Sequence, residues 1–274
     1  FLFYLLKSGC CLVVFYIFFK LLMSRSTFFH FNRITLLVGL LGCTLLPLIE
    51  LTTTEETFLH TPLYAIHEIL QSTESVILNP EQMEDPILIS EKNPEINSLN
   101  WIPVTLAFIY GVGALVTLIW LSLSTCRLIQ LIRTSEKKQF GNYVLVIPQQ
   151  PTASFSWGKY IVISAADYSQ QSEEILLHEM MHLRNHHTLD LLFMQIFLLV
   201  YWFNPVVWLL KRELQEVHEF EADNGVINTG IDATKYQLLL VKKAVGTRLY
   251  SMANGFNHSK LKKRITMMLK ERTN

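Results

Sequence analysis

His178-Glu179-Met180-Met181-His182 is the stretch on which the reading of this chain turns. Side chains four residues apart share one face of a helix, so the two imidazoles can reach a single metal ion. Glu179 falls at a neighbouring position. There a carboxylate can take a proton from water and pass it to a departing amine. Zinc is the expected ion, because it polarises a scissile carbonyl and activates water near neutral pH. The flanks support a helix over 172–185. Ser172-Glu173-Glu174 offers a cap and an acidic first turn, and Ile175-Leu176-Leu177 an apolar run. Upstream, Tyr143–Ile147 and Lys159–Ser164 are short β-branched runs bounded by Gly, Pro and Ser, and they read as strands. The second is expected to be the edge strand that pairs with extended substrate.

A hydrolytic zinc site needs a third protein ligand and an open position. Downstream, Glu219-Phe220-Glu221-Ala222-Asp223 offers it, within a helix expected over 213–226. Glu219 is the expected ligand and Glu221 the competing choice. Off the face of Glu219, Glu221 is expected to be solvated, and Glu213 and Glu216 to be ordinary surface carboxylates. Asp223, four residues beyond Glu219, can orient a ligand histidine by hydrogen bonding. His186 continues the stripe from His182, and neither it nor His187 is expected to bind metal. Asp190 either bonds His182, His186 or His187, or caps the next helix. His218 and His258 are candidate transition-state stabilisers, whereas His30, His60 and His67 carry no site argument.

The rest of the composition points to a membrane. Half of the 274 residues are hydrophobic and 17% are charged, below the roughly 25% usual for a soluble domain. Zero net charge gives no overall basic bias toward nucleic acid. The four cysteines lie in or at the end of apolar runs without zinc spacing, which excludes a disulfide framework. The chain opens on Phe1, as expected of a fragment or trimmed protein. The small-residue cleavage pattern of a signal peptide is not evident after its apolar start. Three stretches of about bilayer length, 1–22, 34–51 and 101–123, are predicted spans. The 23–33 link carries Arg25 and Arg33 and no acid, whereas 52–100 carries nine acids against Lys92 alone. Bases again dominate after the third span. Positive residues stay inside, so 1–124 is expected to be a membrane domain with an acidic extracytoplasmic loop at 52–100, and 125–274 a cytoplasmic domain. The basic 259–272 tail reads as a solvated helix face, with membrane-surface contact the alternative.

Residues 191–210 carry no charge and could form a fourth span. A straight crossing would strand Glu219 across the bilayer from His182. Shared zinc binding therefore demands a return, and Asn204-Pro205 supplies the break. A membrane-associated helical hairpin over about 188–219 is predicted, with arms 188–203 and 205–219, packed against the spans or dipping into the inner leaflet.

Taken together, the 178–182 motif with His187 and Asp190, Trp202-Phe203-Asn204-Pro205-Val206-Val207-Trp208, Glu219–Asp223 and Leu261-Lys262-Lys263-Arg264-Ile265-Thr266-Met267-Met268 resemble the BlaR/MecR-type integral-membrane zinc metalloproteases, the antirepressor peptidases of bacterial β-lactam sensing. The resemblance implies a mostly helical α+β chain, with N-terminal transmembrane helices followed by a gluzincin-like protease domain with a small sheet. It implies zinc on His178, His182 and Glu219, Glu179 as base, and Asp223, Asp190 and His187 as groups behind the ligands. It also implies a multi-pass protein of the bacterial cytoplasmic membrane that cleaves a cytoplasmic protein, such as a repressor or itself. Direct nucleic-acid binding is not expected, and a homo-oligomer is left open. No penicillin-binding Ser-x-x-Lys region follows the protease, so β-lactam recognition does not carry over. An HtpX-like quality-control membrane metalloprotease and an inactive signalling scaffold are the alternatives.

Overall fold

The computed structural model describes residues 2–49, 101–169, 173–246 and 255–270. The 52–100 segment, His60, His67 and the side chain of His258 lie outside the described residues. The chain divides into two units, residues 1–48 with 116–274, and residues 49–115. What is described of the second unit is residue 49 and the first turns of one long helix.

Helix α1 (Leu2–Phe18) ends in a π-helical turn at Phe19–Met23, and α2 (Phe29–Leu45) ends in a 3-10 turn at Leu46–Leu48. The two run antiparallel: Tyr4 Oη donates to the Thr44 carbonyl at 2.6 Å. At Gly39 a Cβ would lie 2.1 Å from the Phe15 ring, so only glycine permits this close approach. Helix α3 (Trp101–Thr134) carries no charge before Arg127. Its 34 residues extend about 51 Å, well beyond the roughly 30 Å hydrocarbon core of a bilayer. Tyr4–Met23, Phe29–Leu48 and Val104–Thr134 are each long and apolar enough to cross a membrane.

The end of α3 leads into a mixed four-stranded sheet: β1 (Glu136–Phe140), β2 (Tyr143–Ile147), β3 (Phe155–Trp157) and β4 (Tyr160–Val162), in the order β1-β2-β4-β3. β2 pairs with β4 in parallel, while β1 and β3 flank them antiparallel. β4 therefore lies inside the sheet, and the edge strand is β3, contrary to the sequence expectation. β4 is central because its residues are apolar on both faces. Ile161 packs toward Leu145 and Leu183, and Val162 toward Ile132 and Val146. β1 is polar and exposed, as a charged edge strand should be, and for that reason shows no apolar pattern in the sequence.

Among the described residues six helices follow: α4 (Ala165–Ser169), α5 (Glu173–Arg184), α6 (His187–Val200), α7 (Pro205–Asn228), α8 (Ala233–Gly246) and α9 (Gly255–Leu269). Helix α5 is held between the sheet and α7. Leu183 packs on the sheet, while Met181 joins Ala222, Val226 and Tyr236. A Cβ at Gly225 would sit 2.9 Å from the Met181 side chain, so glycine lets α7 approach the motif helix. Between α5 and α6, His186 takes a left-handed conformation with φ 57°. The histidine stripe from His182 is broken there rather than continued, and the bend turns His187 back toward His182.

Helices α6 and α7 form a hairpin. The Asn204 side chain accepts from the Val206 amide at 2.9 Å and caps α7, with Pro205 in the first turn, where its missing N–H costs nothing. The tip lies against α1, since Ser8 Oγ donates to Tyr201 Oη at 2.9 Å. Farther along, Lys20 pairs with Glu213. From Ser8 to Lys20 is about 18 Å of helix, so α7 runs beside more than half of α1. Glu213 is buried by this pairing and is not the surface carboxylate expected from sequence. Helix α7 continues unbroken through Asn228, so the hairpin arm and the expected 213–226 helix are one element.

Candidate metal centre

Burying Leu183 on the sheet and Met181 on α7 turns the remaining face of α5, with His178, Glu179 and His182, into a cavity of about 530 Å³. Helix α7 brings Glu219 to the same cavity. His178 Nε2 lies 3.2 Å from His182 Nε2 and 3.5 Å from Glu219 Oε2, and His182 Nε2 lies 3.7 Å from Glu219 Oε1. A tetrahedral zinc site with ligand distances of about 2.0–2.2 Å has edges of about 3.3–3.6 Å. The imidazole nitrogens are thus close to such an edge, each has a different Glu219 oxygen at 3.5 or 3.7 Å, and the N, N, O donor set fits zinc.

His178 is backed by a carboxylate, and His182 by an imidazole that itself meets one. His178 Nδ1 faces Asp223 Oδ1 at 3.2 Å and Tyr236 Oη at 2.9 Å, and Tyr236 donates to Asp223 at 2.7 Å. His182 Nδ1 meets His187 Nδ1 at 2.7 Å, and His187 Nε2 meets Glu221 Oε2 at 3.1 Å. If each ligand histidine coordinates through Nε2, its proton sits on Nδ1. His182 then donates to His187, and His187 donates to the Glu221 carboxylate.

Arginines hold both carboxylates. Arg264, on α9, donates through Nε and Nη2 to Asp223 at 2.8 and 2.6 Å, and its Nη1 lies 2.9 Å from Glu219. Arg33, on α2, donates to Asp190 at 2.6 Å and lies 3.5 Å from Glu221. Burial opposes ionisation of Asp223, but the hydrogen bonds from His178 and Arg264 outweigh it and hold the carboxyl below its ordinary range. Glu219 is likewise held low against burial, by His178 and by the charges of His178, Arg264 and His182.

The two histidines titrate in opposite directions in the metal-free site. Burial alone would lower His178, but the hydrogen bonds and charges of Asp223 and Glu219 raise it to about 9. Burial, then the charge of His178, lowers His182 to about 3. Glu179 is buried beside them and bonded to Ser156. Burial lifts its carboxyl above the ordinary range and the charge of Glu219 adds to this, against the charge of His178. That suits a group meant to accept a proton near neutral pH.

The structure therefore brings His178, His182, Glu219 and Glu179 to one cavity, with Asp223 behind His178 and His187 behind His182. Asp190 departs from expectation. It bonds His218 Nε2 at 2.8 Å and Arg33, and among the described contacts it bonds none of His182, His186 and His187. His218 is buried, with its ring stacked on His187 at 4.0 Å, so its Nε2 is engaged with Asp190. Glu221 is not solvated; its side chain is 13% exposed, turned inward by His187 and Arg33. Arg264 turns inward from the basic tail, whereas Lys262 stays exposed, so that tail is not a uniformly solvated face. Tyr236 and Arg264 have no assigned role in the sequence reading. The signal for Arg264 is indirect, because a buried aspartate requires a cation.

A family model described as BlaR1 peptidase M56 matches residues 9–268. Regulatory protein BlaR1 of Staphylococcus aureus is 34% identical over 84 residues, 29% of this chain and 14% of that protein. Regulatory protein BlaR1 of Bacillus licheniformis is 38% identical over 55 residues, 20% of this chain and 9% of that protein. The matched segments thus cover well under two thirds of either relative. With three apolar helices of bilayer length, these findings describe a membrane protein. Through the match that runs from α1 to α9, the chain belongs to the BlaR1 peptidase family.

Proposed function

We propose that this chain is a zinc-dependent endopeptidase of the bacterial cytoplasmic membrane, with His178, His182 and Glu219 as ligands and Glu179 as general base. Its substrate is a cytoplasmic protein segment, in a regulatory cleavage of a repressor or of the chain itself. The observation that carries this reading is the convergence of two imidazole nitrogens and a carboxylate, close enough to share one ion, with the buried Glu179 carboxyl beside them. Bound zinc supplies Lewis acidity toward a carbonyl and toward water. Glu179 takes the proton of the attacking water and delivers it to the leaving amine nitrogen. The β3 edge at Ser156 and Trp157 lines the cavity and offers backbone groups to an extended peptide. Asp223 and the His187–Glu221 pair hold the ligand rings in the tautomer that leaves Nε2 free.

The hairpin tip packs on α1 beside Ser8, and Leu189, Leu192, Ile196 and Phe203 are exposed along the hairpin. These features support a hairpin set into the bilayer, deeper than the inner leaflet, with the metal centre at its cytoplasmic base. The test uses the full chain in detergent micelles. Zinc content and cleavage of casein and of the chain itself are compared with those of Glu179→Gln and His182→Ala. Zinc near one equivalent, kept in Glu179→Gln and lost in His182→Ala, with cleavage absent from both, is expected. Undiminished cleavage by Glu179→Gln would overturn the mechanism.

A further inference from the structure

Arg33 stands at the start of the second apolar helix, far in sequence from every group of the metal centre, yet its guanidinium works in three directions. Nε donates to Asp190 Oδ2 at 2.6 Å, Nη2 donates to the Asn185 carbonyl at 2.6 Å, and Nη1 lies 3.5 Å from Glu221 Oε2. These three partners surround His187. Asn185 sits at the left-handed break that turns His187 back. Asp190 holds His218, whose ring lies flat on His187, with 8° between the planes. Glu221 receives His187 Nε2. His187 in turn occupies the back nitrogen of His182. The side chains of Arg33, Asp190, Glu221, His187 and His218 are all 13% exposed or less. A buried polar cluster this fully connected resists small displacement of any one member.

Taking His182 as a metal ligand, as proposed above, we infer that Arg33 is a positioning residue for the metal centre: it fixes the His187 ring against His182 and so ties the ligand to the second apolar helix. The geometry requires arginine. Three acceptors in three directions match a planar fork of donors, and the point charge of lysine cannot reach them together. The arrangement mirrors the other ligand, where Arg264 holds Asp223 behind His178. Here, however, the arginine comes from a helix of bilayer length, and an extra imidazole intervenes. A shift of α2 along its axis would pull on Asn185, Asp190 and Glu221 together and reach His182 through His187.

Groups behind a metal ligand typically contribute about 10–100-fold to metal affinity, and that is the effect expected here. The full chain in detergent micelles is stripped of metal and titrated with cobalt(II), followed by visible d–d absorption. Wild type should bind with tetrahedral bands. Arg33→Met should bind about 10–100-fold more weakly with altered bands, and Arg33→Lys should recover little of the loss. Lys20→Met is the control, since it breaks another ion pair between an apolar helix and α7, away from His187. It should bind cobalt as wild type does. If Arg33→Met does not accumulate folded, Glu221→Gln breaks the same chain of contacts at its next atom and should show the same loss. Wild-type affinity and bands in the Arg33 or Glu221 variant would overturn the inference and leave the metal centre standing. So would an equal loss in Lys20→Met, which would mark the effect as general loosening. Absence of cobalt binding by wild type would overturn both.

Discussion

Replacing Arg264 by Met should uncover how much of the fold rests on one cation. Asp223 is 1% exposed at its side chain and takes two hydrogen bonds from Arg264. Methionine keeps most of the volume but leaves the carboxylate buried without its counter-charge. Breaking one partner of a buried pair costs about 3–5 kcal/mol. The lower end applies, because Tyr236 still donates to Asp223 and His178 still faces it, and because Arg264 is itself 18% exposed. A loss of about 3 kcal/mol in a domain of this size corresponds to about 6–12 °C in melting temperature. The assay is thermal unfolding of the metal-free full chain in micelles, followed by tryptophan fluorescence. The sign with pH is fixed as well. Asp223 is held below its ordinary range in the folded state, so its contribution is present above about pH 4 and lost as pH falls. The gap between wild type and variant should therefore narrow toward acid. Adding Asp223→Asn to Arg264→Met removes the orphaned charge and should restore at least half of the loss. A variant melting within about 1 °C of wild type, or a double variant no better than the single one, would refute the reasoning.

Glu179→Gln should lower cleavage by about 10²–10⁴-fold while zinc content, measured by atomic absorption, stays at the wild-type level. In the metal-free site His178 holds a proton up to about pH 9, and metal must displace it. Zinc affinity, measured by chelator competition, should therefore rise about tenfold per pH unit through neutrality and level off above 9. Ile196, 61% exposed on α6, lies five residues before Tyr201, which meets Ser8 of α1. Ile196→Asp should destabilise the protein in lipid by about 3 kcal/mol, read as loss of the folded fraction in nanodiscs. A water-facing residue would change stability by less than about 0.5 kcal/mol, and that result would place the hairpin outside the bilayer.

What the sequence made legible is local in origin. The four-residue spacing of His178 and His182 is a property of one helix, and the β-branched runs at 143–147 and 159–164 are properties of single strands. The hairpin follows from Asn204-Pro205 together with the demand that Glu219 return to the histidines. What stayed hidden depends on partners distant in the chain. Glu213 and Glu221 look like surface acids because helical carboxylates usually are. They turn inward to meet partners distant in the chain, Lys20 for Glu213, and Arg33 and His187 for Glu221. Those two cations were the available signal, since a charge within or beside an apolar helix needs a partner. Tyr236 stands on the inner face of its helix, where an aromatic ring reads as ordinary core. The edge position of β3 could not be read from three residues, because sheet order is a tertiary property.

The order of synthesis gives Arg264 a further meaning. The motif helix, Glu219 and Asp223 all leave the ribosome before α9 does. Until residue 264 follows, Asp223 has no guanidinium to neutralise it, and the nascent chain carries His178, His182 and Glu219 without the clamp that sets His178. The clamp on His178 therefore closes only after α9 has been made, and the pairing of the imidazoles with Glu219 is completed by the last described helix rather than by the motif helix itself.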